Sequence, residues 1–260
     1  MARPLIALLT DFGTTDPFVG IMKAVVLARC PDAAIVDLTH AVPPQAVGEG
    51  AFLLERSFRW FPGGAVLVAV VDPGVGTTRR AVVAEAHGRT LVGPDNGLLY
   101  PVVAADPSAR AYAIDVARLG LPVPSRTFHG RDVFAPVAAE LASGRLRPPD
   151  VGPRVDALVP GGFPPSIQAG GVTQGEVVTV DHFGNLITNV TAHPSLLGAT
   201  VELGSSSLPL VGTYGEASPG ALVALINAFD VVEIAQRDGN AERFTGLGRG
   251  TKVLVRAARS

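Results

Sequence analysis

The stretch that decides the fold is LIALLTDFGTTDPF, residues 5–18. Its first part, Leu5–Thr10, is a continuous apolar run, which is typical of a strand buried on both faces. The dipeptide that follows at positions 16 and 17 predicts a helix start, with Asp16 as N-cap and Pro17 at the first helical position. A buried strand followed by a helix indicates the beginning of an α/β fold.

The alternation of strands and helices continues through the first half of the chain. Apolar runs predict further strands over residues 34–38, 65–71, 80–85 and 90–92, and helical spacing predicts helices over 47–60 and 133–141. This order favours a mostly parallel sheet covered by helices. After residue 171 the pattern changes to seven short strands separated by turns, which indicates a small all-β barrel or sandwich.

A proline- and glycine-rich stretch without periodicity separates the two patterns. Such composition is typical of a connecting segment. We therefore expect an α/β N-terminal domain over residues 1–150, a linker over 151–171 and a β-barrel C-terminal domain over 172–260.

Composition limits the class of protein and of partner. Of the 260 residues 47% are hydrophobic and 17% are charged, which excludes a disordered chain. The net charge of −2 gives no basic surplus for nucleic acid or an anionic membrane, so neither is expected as a partner. The single cysteine, Cys30, excludes an intramolecular disulfide framework and a cysteine-based zinc cluster, and it favours a reducing cytoplasm.

Polar residues follow three of the predicted buried strands. Asp11, His40 and Asp72 each come at or just after the end of a strand. In open α/β sheets, ligands bind at the carboxyl ends of the strands. Each residue alone could be a turn or cap residue, but three at corresponding places indicate a ligand site.

Three further segments carry candidate chemistry. The glycine-rich segment 71–80 lacks the lysine of a P-loop, and it places Asp72 and Arg79 where they could face each other or simply staple the loop. In residues 128–132 (FHGRD), His129 lies at a predicted helix start, where the helix dipole would lower its pKa, or where it would merely cap the turn. Residues 181–185 (DHFGN) lie between two strands and could be no more than a polar hairpin loop.

From the residues alone, three kinds of function stay open. The first is a small-molecule enzyme with a cleft between its two domains. The second is a metallohydrolase that uses acidic and histidine side chains: Asp11, Asp16, His40, Asp72 and His129. No compact ligand motif such as HExxH supports a metal site, so none is predicted. The third is a ligand-binding protein without catalysis.

Five segments together carry a resemblance to a known family. They run in order through nearly the whole chain: residues 9–16 (LTDFGTTD), 71–76 (VDPGVG), 93–98 (GPDNGL), 128–132 (FHGRD) and 181–189 (DHFGNLITN). The chain resembles the S-adenosyl-L-methionine hydroxide adenosyltransferases, which are relatives of the fluorinases and chlorinases. The resemblance implies an α/β domain followed by a β-barrel, and a homotrimer with active sites between subunits.

The resemblance also implies a reaction and a set of site residues. Water or hydroxide would attack C5′ of S-adenosyl-L-methionine, giving adenosine and L-methionine with no separate cofactor. Asp72, Arg79 and His129 match the positions that handle the water. The implied substrate-binding residues are Asp11 for the ribose hydroxyls, Phe128 as a pocket wall, Asp181 for the methionine ammonium, Asn185 for the adenine edge, and Gln236 in a region that contacts adenine through its backbone.

Three differences from the halogenating relatives favour hydrolysis over the alternative of a halogenase. The halogenases have an aromatic residue where this chain has Asp72. The fluorinase has serine where this chain has Gly130, and it carries an inserted loop for which residues 80–94 leave no room. The fluorinase also has tryptophan in place of Gln45, so an aromatic stacking contact near the methionine part of the substrate is not predicted here. Its partners for the methionine carboxylate align near Ala228 and Phe229. The partner of that carboxylate in this chain is therefore not predicted.

Overall fold

The computed structural model of the chain describes residues 3–196 and 198–257, apart from the side chain of Ser195. Residues 1–2 and 258–260 of the predicted domains lie outside the described part. The chain divides into two compact units, one ending at Gly162 and the other starting at Phe163. None of the helices in the described part has the length and apolar character needed to cross a bilayer.

The first unit is built on one seven-stranded sheet with helices. Its strands are β1 (Leu5–Thr10), β2 (Ala34–Thr39), β3 (Val66–Val70), β4 (Ala81–Ala86), β5 (Arg89–Pro94), β6 (Arg110–Ala113) and β7 (Arg154–Val155). Its α-helices are α1 (Phe18–Arg29), α2 (Val47–Ser57), α3 (Tyr100–Ala104) and α4 (Ala135–Ala142). The order of strands across the sheet is β2-β1-β3-β5-β4-β6-β7.

This sheet is mixed, so the prediction of a mostly parallel sheet is wrong for its second half. The pairings among β2, β1, β3 and β5 are parallel, whereas β4 pairs antiparallel with β5 and β6, and β6 with β7. Only His87 and Gly88 connect β4 to β5, and both have positive φ, 51° and 71°. A two-residue turn of this kind forms an antiparallel hairpin, because parallel strands need a much longer crossover.

Both faces of the sheet are covered, which explains the continuous apolar run of β1. Ile6 and Leu8 pack in one core cluster with Met22 of α1 and Val137 of α4. The alternate residues of the strand, such as Leu9, pack in a second cluster with residues of α2 and α3. Side chains alternate across a strand, so a strand between two helical layers is apolar at every position.

Two helix starts differ from the sequence prediction. The N-cap of α1 is Pro17, and no side chain caps this end, so Asp16 does not have the predicted capping role. The predicted helix over residues 133–141 begins instead with a π-helical turn, Gly130–Phe134, which continues into α4. Such turns are frequent at functional sites, and this one follows directly after His129.

The second unit is the predicted all-β barrel. Its strands are β8 (Ile167–Ala169), β9 (Val172–Val180), β10 (Leu186–Thr191), β11 (Thr200–Leu203), β12 (Ser206–Val211), β13 (Leu222–Ile226), β14 (Val231–Gln236) and β15 (Lys252–Arg256), with one short helix, α5 (Ala241–Thr245). The sheet order is β10-β14-β13-β12-β11-β15-β9-β8, and the pairing of β10 with β9 closes seven of these strands into a ring. The pairing of β12 with β13 is parallel, and the other neighbours in the ring are antiparallel.

Gly93 tests how tightly the parallel part of the first sheet is packed. A Cβ atom at this position of β5 would lie 2.3 Å from the carbonyl oxygen of Ala69 in the neighbouring strand β3. We expect Gly93→Ala to lower the free energy of unfolding by about 1–3 kcal/mol, because the two strands must move apart. Chemical denaturation followed by circular dichroism measures the effect.

Gly20→Ala is the matched control. No atom lies within 4 Å of a Cβ at Gly20 in α1, so alanine there should raise stability by about 0.5–1 kcal/mol. Equal stability of Gly93→Ala and the wild type would show that the sheet accommodates the extra atom.

Candidate active site

Polar side chains gather at the carboxyl ends of neighbouring parallel strands in the first unit. Asp11 follows β1, His40 follows β2 and Asp72 lies two residues beyond β3. Because β1 pairs parallel with both β2 and β3, these three ends share one edge of the sheet. This is the edge at which open α/β sheets bind ligands.

Asp72 and Arg79 form a bidentate ion pair across the glycine-rich loop. Arg79 Nε donates to Asp72 Oδ1 at 2.9 Å, and Arg79 Nη2 donates to Asp72 Oδ2. The Asp72 side chain is 5% exposed and that of Arg79 10%. Two parallel hydrogen bonds fix both the position and the rotation of the carboxylate.

His129 joins this pair through the same guanidinium. Arg79 Nη2 donates to His129 Nδ1 at 2.8 Å. Arginine has only donors, so Nδ1 must be the acceptor, and the ring proton of neutral His129 therefore sits on Nε2. Arg79 also lies over the ring of Phe134, with its Cζ 5.4 Å from the centroid.

The pKa of His129 is lowered, as predicted, but the helix dipole is not the main cause. Burial disfavours the charged imidazolium, and the positive charge of Arg79 disfavours it further. Asp72 and Asp132 act in the opposite direction and are outweighed. Neutral His129 is also the only form that can accept the hydrogen bond from Arg79.

Asp11 is held by the backbone of a second loop. The N–H group of Gln45 donates to Asp11 Oδ2 at 2.8 Å. Gln45 has a positive φ of 65°, which is uncommon for a residue other than glycine. Each carboxylate oxygen has two lone pairs, so Asp11 keeps acceptor capacity for a ligand.

Phe128 belongs to a group of three aromatic rings. Its ring centroid lies 6.0 Å from that of Phe12 and 5.2 Å from that of Phe18, both in edge-to-face geometry. The guanidinium of Arg131 lies 5.3 Å from the Phe128 centroid. A Cβ at Gly130 would lie 3.0 Å from Met22 Sδ and 3.1 Å from Phe128 Cε2. The absence of a side chain at Gly130 thus lets Phe128 occupy its place.

In the second unit, Asp181 and Asn185 form one closed turn. Asp181 Oδ1 accepts the N–H groups of Phe183 and Asn185, both at 2.9 Å, and Oδ2 accepts Asn185 Nδ2 at 3.0 Å. These bonds are those of a polar hairpin loop, the structural alternative considered from the sequence. They also fix the Asp181 carboxylate in one orientation.

Gln236 uses its side chain within the barrel. Its Nε2 donates to the carbonyl of Gly220 at 2.9 Å, and its Oε1 accepts the N–H of Asn240 at 3.0 Å. An open cavity of about 650 Å³ lies beside it, with Asn185 also in the wall; the other lining residues are Phe183, Tyr214, Gly215, Arg237, Asp238 and Gly239.

The structure therefore places the predicted residues in two clusters. Asp11, Asp72, Arg79, Phe128 and His129 lie in the first unit, and Asp181, Asn185 and Gln236 lie in the second. Within the described residues, no three His, Cys, Asp or Glu side chains lie close enough together to hold a metal ion.

Sequence reasoning missed several partners of these residues. Phe12 and Phe18 support Phe128, Phe134 packs against Arg79, and the backbone of Gln45 binds Asp11. Phe12 lies in the segment 9–16, and the sequence gives no sign that its ring packs against Phe128. A backbone donor such as that of Gln45 leaves no side-chain signal in the sequence.

Comparisons with known proteins give the family. A model of the SAM hydroxide adenosyltransferase N-terminal domain matches residues 6–152, and a model of the C-terminal domain matches residues 175–254. The chain is similar to an (R)-S-adenosyl-L-methionine hydrolase from Thermus thermophilus, with 43% identity over 95% of this chain and 97% of that protein. A fluorinase from Actinoplanes sp. is 31% identical over 98% of each chain.

A solved structure agrees with these sequence matches. An uncharacterized conserved protein from Thermotoga maritima has a TM-score of 0.87 and 32% identity, covering 96% of this chain and 99% of that one. Both family models fall on the two units described above. The resemblance carried by the five sequence segments is thus confirmed, and the chain belongs to the SAM hydroxide adenosyltransferase family.

Proposed function

We propose that this chain is an S-adenosyl-L-methionine hydrolase that forms adenosine and L-methionine. The observation that carries the proposal is the hydrogen-bonded set of Asp72, Arg79 and His129 at the ligand-binding edge of the sheet. The names of several full-length relatives at 40–43% identity support the same reaction.

In the proposed reaction, a water oxygen attacks C5′ of the substrate. A C5′–O bond forms as the C5′–S bond breaks, and its electron pair returns to sulfur, so the sulfonium leaves as the neutral thioether of methionine. Such a leaving group needs no proton from a general acid. The proton lost by the attacking water is the one that the protein must accept, and a positioned base contributes about 10²–10⁴-fold to the rate.

Asp72 is the base in this scheme, and His129 is a donor. Nδ1 of His129 is occupied by Arg79, and its Nε2 carries a hydrogen, so the ring can orient a water by donating to its oxygen. Asp72 then takes the proton, while Arg79 keeps the carboxylate in place. The neutral His129 and the partly excluded solvent suit a transition state in which the substrate loses its positive charge.

Substrate binding draws on both clusters. Asp11 accepts the ribose hydroxyls, Phe128 forms a wall, Asp181 meets the methionine ammonium and Asn185 reads the adenine edge. Since the side chain of Gln236 is engaged by Gly220 and Asn240, its contribution to adenine binding comes from its backbone.

The assembly proposed for this enzyme is a homotrimer, in which residues of the two units complete each site across subunits. A cyclic trimer with head-to-tail contacts repeats one interface three times and closes. Light scattering measures the mass, and full activity of a monomer would contradict the shared site.

A cytoplasmic location is also proposed. The one cysteine, Cys30, is buried and free, in keeping with that location.

The direct test of the reaction is incubation of the pure protein with S-adenosyl-L-methionine, followed by chromatography for adenosine. The relatives are named for the (R) form. The L prefix already fixes the amino-acid carbon, so this label refers to the sulfonium, and the two sulfonium epimers should be assayed separately. No adenosine from either epimer with stoichiometric enzyme would favour a binding role without catalysis.

Asp72→Asn separates catalysis from binding. We expect kcat to fall by about 10²–10⁴-fold or more, because the amide cannot take the proton of water and its NH₂ group cannot accept one of the two hydrogen bonds from Arg79. Affinity for adenosine, measured by calorimetry, should stay near that of the wild type.

Asp11→Ala is the converse variant. It should weaken adenosine binding by about 1.5–3 kcal/mol for each charged hydrogen bond that is lost. An equal loss of adenosine affinity in Asp72→Asn and Asp11→Ala would show that the two roles are wrongly divided.

The pH dependence of the rate tests the state of His129. Its pKa is lowered from the ordinary 6.5, so neutral His129 persists as pH falls through 6.5, and kcat should decline only below that value. In His129→Asn, the amide oxygen can replace Nδ1 as acceptor, but Nε2–H is lost. We expect a lower kcat and loss of the His129 contribution to the acid limb, measured as pH–rate profiles of both proteins. An unchanged acid limb would show that His129 does not set it.

Water should be preferred over chloride as nucleophile. Two unit charges about 4 Å apart repel by about 4 kcal/mol at an effective dielectric constant of 20, so the Asp72 carboxylate disfavours a halide at the attack position, and Arg79 offsets only part of this. The serine that the fluorinase has at the position of Gly130 would also require Phe128 and Met22 to shift in this chain, because its Cβ would lie 3.1 Å from Phe128 Cε2 and 3.0 Å from Met22 Sδ. In molar chloride, chromatography should show adenosine as the main product. Mainly 5′-chloro-5′-deoxyadenosine would make the chain a halogenase.

A further inference from the structure

A chain of hydrogen bonds lies behind the loop that carries Asp11. Lys23 Nζ donates to Asp37 Oδ2 at 2.6 Å, and Asp37 Oδ1 lies 3.0 Å from His40 Nε2. His40 Nδ1 lies 2.8 Å from Thr10 Oγ1, which accepts the N–H of Phe12 at 3.2 Å. We call the side chains of Lys23, Asp37, His40 and Thr10 the Thr10 relay.

The direction of every bond in the relay follows from its two ends. A carboxylate only accepts, so His40 Nε2 carries the proton that is donated to Asp37. In the neutral imidazole Nδ1 is then an acceptor, and the Thr10 hydroxyl donates to it. This leaves the Thr10 oxygen free to accept from Phe12. Burial raises the pKa of Asp37, but the hydrogen bonds from Lys23 and His40 outweigh it and keep the pKa low, as the relay requires.

The relay is not a second nucleophilic centre, although Asp, His and a hydroxyl residue are hydrogen-bonded in the order found in hydrolases. Thr10 is 0% exposed and His40 6% exposed, so no substrate reaches the hydroxyl. A buried hydrogen bond of this kind adds little net stability when it is formed, but breaking it costs considerable free energy. Removing one partner leaves the other polar group buried and unsatisfied.

The relay ends on both sides of Asp11. Thr10 precedes Asp11, and Phe12, whose N–H the relay binds, follows it. The carbonyl of His40 accepts the N–H of Gly13 at 2.8 Å, and five residues beyond His40 the same loop supplies the N–H of Gln45 to Asp11. The loops after β1 and β2 are thus joined at three points around one carboxylate.

We propose that His40 is a positioning residue that, through Thr10, holds Asp11 in the orientation that binds the ribose of the substrate. This inference rests on the proposed role of Asp11 and adds residues that do not touch the ligand. Misplacement by about 1 Å can cost about 10²-fold in rate, so loss of the relay should be measurable in kcat/KM, and also in adenosine affinity because Asp11 is a binding group.

Two substitutions of His40 distinguish positioning from a general loss of packing. In His40→Asn the amide oxygen takes the place of Nδ1 and keeps the bond with Thr10. In His40→Gln the longer side chain reaches toward the place of Nε2 and loses that bond. We expect the adenosine Kd to rise about tenfold in His40→Gln and clearly less in His40→Asn, with kcat/KM reduced more than kcat. The reverse order, or equal values, would overturn the proposal.

Thr10 supplies an independent pair of variants and a local readout. Thr10→Val removes the hydroxyl while keeping nearly the same side-chain shape, and Thr10→Ser keeps the hydroxyl while removing only the methyl group. Exchange of the Phe12 amide hydrogen, followed by NMR, should accelerate in Thr10→Val and stay near the wild-type rate in Thr10→Ser, in parallel with adenosine affinity. His87→Asn, at the β4–β5 turn, is the control histidine and should change neither quantity. Native affinity in Thr10→Val would overturn the proposal.

Asp37→Ala and Asp11→Ala complete the design. Asp37 has a side chain that is 44% exposed, so its removal leaves the core intact if the buried variants fail to fold, and a smaller rise in Kd, about threefold, is expected. Unchanged adenosine affinity in Asp11→Ala would refute the ribose role of Asp11 and the inference built on it. A loss in Asp11→Ala together with native affinity in the His40, Thr10 and Asp37 variants would refute the relay alone.

Discussion

The guanidinium of Arg79 is the group on which the arrangement of Asp72 and His129 depends. It donates to both oxygens of Asp72 and to Nδ1 of His129, and its face lies against Phe134. Because it has donors only, it determines which nitrogen of the imidazole carries the proton. A lysine could not replace it, since an ammonium lacks the planar fork that meets a carboxylate and a ring at once. The arrangement of acceptor and donor at the proposed water site therefore follows from one side chain.

Much of the fold follows from hydrophobic periodicity. The run of β1 predicted a strand covered on both faces, and the seven strands predicted after residue 171 are those that close the barrel. The direction of β4 was missed because periodicity shows that a strand exists but not which way it runs. The signal was the two-residue connection His87-Gly88, which permits only a hairpin.

The grouping of Asp72, Arg79 and His129 was predictable, because their side chains are titratable or charged and lie in recognisable sequence segments. It was not predictable where the partner is backbone or lies far along the chain. Asp11 binds the main chain of Gln45, and Gln236 is engaged by the main chain of Gly220 and Asn240. Any residue type supplies such groups, so only three-dimensional proximity identifies them.

The odd number of strands in the barrel has a topological consequence. Directions alternate at each antiparallel pairing, and a ring of seven cannot alternate all the way round, so at least one neighbouring pair must be parallel. Here that pair is β12 and β13. Parallel neighbours cannot be joined by a tight turn, and residues 212–221 make the required excursion. That excursion places Tyr214 and Gly215 in the wall of the open cavity beside Gln236. The parity of the ring thus provides the surplus backbone from which part of this cavity is built.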